Sequence, residues 1–500
     1  MAHSEFSADR LVKHSTIYAL GNISRQLVGF VMLPLYTRYL TPADYGVVGL
    51  LLFALALLEP FFGARLGDAT LKFYYEEHNE AQRRVVISTS LVITGVISTI
   101  VACIAFASRN AASELIFGTE KFGLAVGLFA FVFLTQAVEY YGLTFIRIQQ
   151  KPTLFIAINL SKLVLQLALN IWFIVYLKLG VTGVVLSGIV SSALYATGLA
   201  LYTIYFNGIA CDVHIARRMV VYSWPLWLSS LASLYIYSAN RYYLRVFGSM
   251  DEVGYYELAA RFAGLLGLVI WQPFSQFWET ERFRHYQKPD APAVFSSVFE
   301  FASVVLFVGA LGISIFADPV IQLMSAPAFH RASALVPWLA FGWLFGFLTL
   351  FANFSFLITE ETVLISRNNY ITVAIITVLN FLLIPRFGYI GAGAAQLLAL
   401  FTQFLLVRHA ARPHYDMRLA LAPVLAMLAI SCGAYVVANR VQHISPLWLD
   451  LVWKAVVCLM GVLLLLAVLL RSAANRSHVV RLLDSLVFPL MRKLRMMPQS

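Results

Sequence analysis

The chain has 500 residues, 60% of them hydrophobic and 12% charged, with a mean hydropathy of +0.78 and a formal net charge of +11. A soluble globular chain carries about twice that charged fraction. Strand-type alternation is absent, which argues against an outer-membrane barrel and leaves an all-α, polytopic membrane protein.

A hydrocarbon core about 30 Å thick takes roughly 20 apolar residues per helix. The N-terminus carries Arg10 and Lys13, then an apolar segment containing Arg25. It has no short apolar run ending in a small-residue cleavage site, so it reads as an uncleaved first helix. The first two spans are expected near 15–39 and 45–64. Four more follow near 85–107, 122–146, 153–177 and 182–206, and a polar joint then holds Asp212, Arg217 and Arg218. The second half supplies 221–246, 254–275, 293–317, 334–358, 364–385 and 389–408. Two further spans, 419–438 and 448–470, bring the expected count to fourteen.

A repeat organises the series. Segment 33–46 closes the first span and opens the second, with Tyr36, Arg38, Pro42, Asp44 and Gly46 marking the turn. Tyr243, Arg245, Asp251 and Gly254 repeat that arrangement, and Gly254 lies 208 residues after Gly46. A second landmark pairs Asn170 with Asn380, offset by 210, and Gly183 with Gly391, offset by 208. Two landmarks at nearly one offset predict a fold built twice. The expected domains are an N-lobe at 1–212, a C-lobe at 213–411, an unpaired helix pair at 412–471 and a basic tail at 472–500. The lobes are two pseudo-symmetric bundles of six helices.

Lys and Arg concentrate in alternate loops, among them Arg83, Arg84, Arg147, Lys151, Arg217, Arg218, Arg282 and Arg284. That bias predicts both termini on the cytoplasmic side. It also accounts for most of the net charge, so no nucleic-acid partner is implied. Segments 71–84 and 277–283 mix aromatics with charges and suit the headgroup layer or plain linker helices. The tail, basic with apolar residues between, is expected on anionic membrane lipids.

Ionisable residues inside spans cost a few kcal/mol, so they usually face a cavity or a partner. Arg25 lies about 15 Å along the first helix, and Lys162 sits at a similar depth in the fifth. Arg241 falls in the seventh span, Glu139 in the fourth, and Glu257 and Arg261 one turn apart in the eighth. The set is mainly cationic, and a cationic cavity suits a phosphate or diphosphate. The other reading is internal ion pairing of Glu257 with Arg261 or Arg241. For Arg25 and Lys162 no acid is evident at matching depth, which favours the cavity. Tyr235, Tyr237, Asn240, Tyr242 and Tyr243 are candidates for sugar contact or for packing. Asp450 and Lys454 stand where they can snorkel or pair.

No Gly-rich phosphate loop ends in Lys-Ser/Thr, so no intrinsic ATPase is expected. Cys103, Cys211, Cys432 and Cys458 lack metal spacing and read as small apolar packing. Neither a cofactor nor a metal is expected, and no extramembrane segment is large enough for a transferase domain. Transport is the default, and an enzyme is not expected.

Segments 33–46, 241–261 and 380–394 resemble the polysaccharide-repeat-unit flippases of the multidrug/oligosaccharidyl-lipid/polysaccharide (MOP) exporter superfamily. The similarity is patchy over about the first 410 residues. It implies two six-helix lobes in a V, working by alternating access in the bacterial inner membrane. It further implies translocation of an undecaprenyl-diphosphate-linked oligosaccharide for surface polysaccharide, O-antigen or exopolysaccharide, beside polymerase machinery. Arg25, Lys162, Arg241 and Arg261 would hold the diphosphate. Glu139, Glu257 and Asn240 would serve coupling or ion pairing. Resembling proteins often carry an acid where Asn240 stands, which puts ion coupling there in doubt. The last two spans resemble an extra pair found in some members, including lipid II flippases. Two rivals remain: a multidrug or cation exporter of the same superfamily, and a non-transport scaffold of a polysaccharide synthase complex.

The topology has a direct test. Reporter fusions within 109–120 should read outside and within 282–288 inside; the reverse pattern would overturn the orientation and the depths assigned from it.

Overall fold

The computed structural model describes residues 30, 32–62, 66–440 and 447–470. Arg10, Lys13, Arg25, most of the first span and the basic tail lie outside the described residues. Among the described residues every regular element is helical. The chain forms two compact units, Met1–Arg261 with Met324–Ala332 and Val373–Ala392, and Phe262–Leu323 with Ser333–Thr372 and Gly393–Ser500.

The first unit opens with α1 (Leu33–Tyr39), α2 (Pro42–Phe62), α3 (Leu66–Glu76), α4 (Glu80–Ala107) and α5 (Arg109–Phe117). It continues through α6 (Gly123–Ile148), α7 (Pro152–Asn170), α8 (Gly180–Asn207), α9 (Val213–Ser238), α10 (Asn240–Phe247) and α11 (Met250–Leu265). The remaining helices are α12 (Gln272–His285), α13 (Ala291–Met324), α14 (Val336–Ala352), α15 (Phe354–Ile358), α16 (Thr362–Ala411), α17 (Leu421–Arg440) and α18 (Leu447–Leu470).

Ten helices among the described residues are long and apolar enough to cross a membrane. The longest, α16, has 50 residues and is two spans joined at a kink, where Gly388 adopts φ +55° just after Pro385. Only glycine takes that backbone without strain. The turn expected between 385 and 389 is therefore present. The described residues do not carry the count to fourteen.

Local chemistry sets the helix starts. Thr41 caps α2: its hydroxyl accepts from Asp44 N at 3.1 Å, and the Asp44 carboxylate accepts from Thr41 N at 3.1 Å. This reciprocal box places Pro42 at the first helical position, where its missing N–H costs nothing. Asn79 and Asp212 cap α4 and α9 through the N–H groups of Ala81, His214 and Ile215.

The two turn landmarks meet. A Cβ on Gly46 of α2 would strike the Met250 carbonyl and lie 3.0 Å from Gly254 N. A Cβ on Gly254 of α11 would strike the Pro42 carbonyl. Pro42 and Met250 are themselves 208 residues apart, so the contact is reciprocal at the offset of the repeat. Backbones this close admit only glycine at both positions.

Segment 71–84 includes the end of α3, and Phe73 is buried there with Leu66, Ala69, Val86 and Met219. Segment 277–283 lies within α12, and Trp278 is 5% exposed, stacked on Phe351 with an interplanar angle of 10°. That ring is packing rather than a headgroup anchor, because α14 offers it an aromatic face. In the same unit Lys454 Nζ meets Asp450 at 2.8 Å and Asp318 at 3.9 Å, so the pairing expected for the last span is present. Cys103, Cys211 and Cys432 lie exposed rather than in packing, and Cys458 is half-buried. Hydropathy does not distinguish the exposed face of a span from its packed face, which misplaced Cys103 and Cys432, while Cys211 lies in the joint between α8 and α9.

The glycine crossing predicts a stability asymmetry. Gly254→Ala should lower stability by about 1–3 kcal/mol through overpacking. Gly95→Ala, where an added Cβ meets nothing within 4 Å, should be neutral or stabilising. Thermal unfolding of the purified variants measures the difference.

Candidate functional site

Glu257 and Arg261 are one turn apart on α11, and Arg241 reaches them from α10. Arg241 Nε donates to Glu257 Oε2 at 2.8 Å, and Arg261 Nε stands 3.8 Å from Glu257 Oε1. The side chains are 13%, 8% and 19% exposed for Arg241, Glu257 and Arg261. A lone buried carboxylate would be costly, and two guanidiniums on its two oxygens offset that cost. Aromatic faces hold the cations as well: Arg241 lies 5.2 Å from the Tyr256 ring centre and Arg261 5.2 Å from that of Tyr45. Gly49 of α2 makes room for Glu257, whose Oε2 would lie 3.1 Å from a Cβ there. The internal ion pairing is thus present for both arginines.

A second pair lies in the hairpin of α6 and α7. Lys162 Nζ contacts Glu139 Oε2 directly, with the side chains 15% and 6% exposed. The expectation that no acid matches the depth of Lys162 is corrected here. Glu139 precedes the end of α6 by nine residues and Lys162 follows the start of α7 by ten. At 1.5 Å per residue both stand about 14–15 Å from the shared turn. Depth counted from that turn, instead of from each span's outer bounds, brings the two level.

A cavity of about 270 Å³ lies between these groups. Lys162 and Arg261 line it, together with Tyr36, Gln136, Asn159, Gln166 and Asn170. Glu139, Glu257 and Arg241 are not on its wall. Each cation that lines the space is paired with a carboxylate that does not line it. The rest of the wall is apolar, including Val48, Leu52, Val132 and Val185. Such a surface offers N–H donors and positive charge beside apolar side chains, and hydrogen bonds from charged donors to an anion are the strong ones.

Sequence reasoning missed Gln136, Asn159 and Gln166. The signal was available: Asn159, Lys162, Gln166 and Asn170 recur at helical spacing on one face of α7. Asn170 is further fixed by Ser187, whose hydroxyl donates to its Oδ1 at 2.7 Å. Directly after Asn170, α7 widens into a π-turn at Ile171–Tyr176, and α11 does the same at Leu266–Trp271. Turns of this kind recur at functional sites.

Asn240 lies off the cavity wall, in a buried amide network. Its Nδ2 donates to Tyr256 Oη and the Ala392 carbonyl, both at 3.2 Å, and its Oδ1 accepts from Asn380 Nδ2 at 2.9 Å. Tyr235 and Tyr243 share a hydroxyl contact at 2.7 Å, and Tyr235 also meets Thr377 at 2.9 Å. Arg25 lies outside the described residues. Among the described residues no group of three or more His, Cys, Asp or Glu is placed to hold a metal.

Residues 11–276 match the family described as polysaccharide biosynthesis protein. No curated protein sequence matches the chain. Among solved structures, the lipid II flippase MurJ in an inward closed conformation is similar at TM-score 0.75 and 11% identity, covering 91% of this chain and 99% of that one. An inward-facing multidrug resistance MATE family transporter of the MOP superfamily gives 0.63 at 14% identity, covering 78% and 95%. The MATE multidrug transporter DinF-BH gives 0.59 at 15%, covering 83% and 98%. At these identities the likeness is one of fold: this multi-pass helical chain has the fold of the MOP exporters.

The buried triad should be far more sensitive than a surface pair. Glu257→Gln leaves two buried guanidiniums without their counter-charge and should cost about 3–5 kcal/mol. Glu281→Gln, whose partner Arg284 is 69% exposed, should cost under about 1 kcal/mol. Unfolding of both variants in one detergent provides the comparison.

Proposed function

This chain belongs to the polysaccharide biosynthesis protein family, and on that premise we propose that it is a lipid-linked oligosaccharide flippase. It moves undecaprenyl-diphosphate-linked repeat units across the bacterial inner membrane by alternating access, with both termini cytoplasmic. The units then feed surface or exopolysaccharide polymerisation. The chemistry is transport, with no bond made or broken.

One observation carries the reading: two cations from different helices, Lys162 and Arg261, line one cavity that their paired acids do not line. A diphosphate presents two anionic centres to such a wall. Arg261 offers paired donors to one phosphate, and Lys162 is a compact charge for the other. Gln136, Asn159 and Gln166 can donate amide N–H groups to phosphate or the first sugar. Arg241 holds Glu257 in place from behind, and Arg25 would add a phosphate contact from the first span. A cation exporter of the same fold calls for carboxylates on the wall, and here they are withdrawn from it. The reciprocal contact of Gly46 and Gly254 supports the two-lobe repeat, with the halves related by a rotation along the membrane normal.

Lys162→Ala and Arg261→Ala should each lower export about tenfold, the worth of one charge-assisted contact near 1.4 kcal/mol. Arg261→Lys should keep part of it. The measurement is lipid-linked oligosaccharide accumulating on the inner leaflet at matched protein level. Full export by both alanine variants would remove the cavity from the transport path.

A further inference from the structure

We propose that a cluster of helix ends in the second compact unit holds the phosphate of an anionic phospholipid, gripped by Arg282 at the end of α12 and by Arg408 and Arg412 at the end of α16. This site belongs to the membrane surface. It is independent of the cavity and stands whether or not the cavity takes a diphosphate.

Three guanidiniums gather around α15, and little acid comes with them. Arg282 is half-buried in the last turn of α12, its Cζ 4.6 Å from the Phe354 ring centre and 5.5 Å from that of Phe283. Stacking holds a guanidinium by its face and leaves its edge for an acceptor. Among the described residues its Nε is buried without an acceptor. The acids of its own helix are elsewhere: Glu281 meets Arg284 at 2.8 Å and His285 at 3.7 Å, and Glu279 is exposed. Phe354 opens α15, and the next residue, Ser355, donates to the Tyr415 carbonyl at 2.9 Å. Ser355 and Tyr415 line a crevice with Arg408, Arg412 and Asp416. The two arginines are one helical turn apart, so their charges share one side of the helix end. Arg408 Nε donates to the Leu419 carbonyl at 2.7 Å, and Arg412 is exposed. Asp416 turns one oxygen back to Arg418 N at 2.9 Å. Tyr415 Oη donates to the Tyr286 carbonyl at 3.1 Å, which joins this loop to the end of α12.

Position selects the ligand. Arg282 and Arg408 each lie three residues before the end of a helix long and apolar enough to cross a membrane, Met250–His285 and Thr362–Ala411. At 1.5 Å per residue that is about 5 Å from the end, where a span leaves the hydrocarbon and enters the headgroup layer. In the orientation proposed above both ends are cytoplasmic, and that leaflet carries the anionic lipid. Basic pockets between helix ends on that side hold anionic head groups. A phosphodiester brings one negative charge and two free oxygens, which match the paired N–H donors of a guanidinium edge. Phe283, 51% exposed beside Arg282, offers the acyl region an apolar face. Free inorganic phosphate has the same oxygens but nothing to set against that ring.

The test uses the purified full chain in detergent. Dioleoylphosphatidylglycerol is the probe, dioleoylphosphatidylcholine the neutral comparison and inorganic phosphate the competitor. Native mass spectrometry counts the lipid bound per chain. The wild type should retain phosphatidylglycerol at concentrations where phosphatidylcholine is lost. Arg282→Gln should weaken that binding about fivefold, the worth of one cation at a membrane surface. Arg412→Gln, at an exposed residue, should weaken it likewise, and it decides the matter if Arg282→Gln does not fold. Arg284→Gln, whose cation is already paired with Glu281, should leave the binding unchanged. Equal retention of the two lipids by the wild type would overturn the proposal. So would wild-type affinity in either folded variant, Arg282→Gln or Arg412→Gln. An equal loss in Arg284→Gln would mark diffuse surface charge and overturn it too. Displacement of the lipid by millimolar inorganic phosphate would make this a free-anion site and overturn the lipid assignment.

Discussion

A carboxylate buried inside a membrane-spanning helix has to be held by positive charge, and Glu257 is held twice. That constraint shapes the first unit. The clamp ties α10 to α11 through Arg241 and aims Arg261 at the cavity. It needs Gly49 on α2, because a side chain there would crowd the carboxylate. Tyr45 and Tyr256 supply aromatic faces that share the burden of burying two guanidiniums. Removing the acid would strand both cations, which is why a group behind the wall matters as much as those on it.

The same logic governs Lys162. A cation inside a membrane-spanning helix is costly without a partner. Glu139 supplies the charge from behind without placing an acid on the wall. The Lys162–Glu139 pair is thus close to neutral within the membrane and the Glu257 triad carries one net positive charge, and the residues that line the cavity from both are cations. To the proposed anionic headgroup the wall offers donors and no acid. This arrangement reconciles two demands that oppose each other, stability of the buried charges and attraction for an anion.

Close packing of α2 on α11 adds a geometric condition. Gly46 and Gly254 bring two helix starts into backbone contact, and each leans on the carbonyl that its counterpart's helix begins with. Reciprocity of this kind is what a duplicated fold gives at its axis, since equivalent residues meet there. Larger side chains would separate the helices and pull Tyr45 and Gly49 away from Arg261 and Glu257. The glycines and the ion triad therefore depend on one another.

Much of this was legible in the sequence. Composition and the length of the apolar runs set an all-helical membrane fold, because lipid leaves the backbone few other ways to satisfy its hydrogen bonds. Pro42, Asp44 and Gly46 marked the turn into α2, the span bounds 364–385 and 389–408 marked the break at Gly388, and the spacing of Gly46 and Gly254 suggested a repeat. The charges inside spans marked where to look, since each is costly unless compensated. Tertiary structure alone decided what compensates them. Glu139 and Lys162 are 23 residues apart, and only the hairpin of α6 and α7 brings them level. Which face of a helix meets a cavity, lipid or another helix is set by neighbours distant in sequence. Hydropathy scores all faces alike, so Gln136, Asn159 and Gln166 passed unnoticed, Trp278 was left open between a headgroup and a linker helix, and three cysteines were placed in packing. The side on which an acid stands relative to a cation is likewise a property of the packed helices, and here it makes the cavity wall cationic.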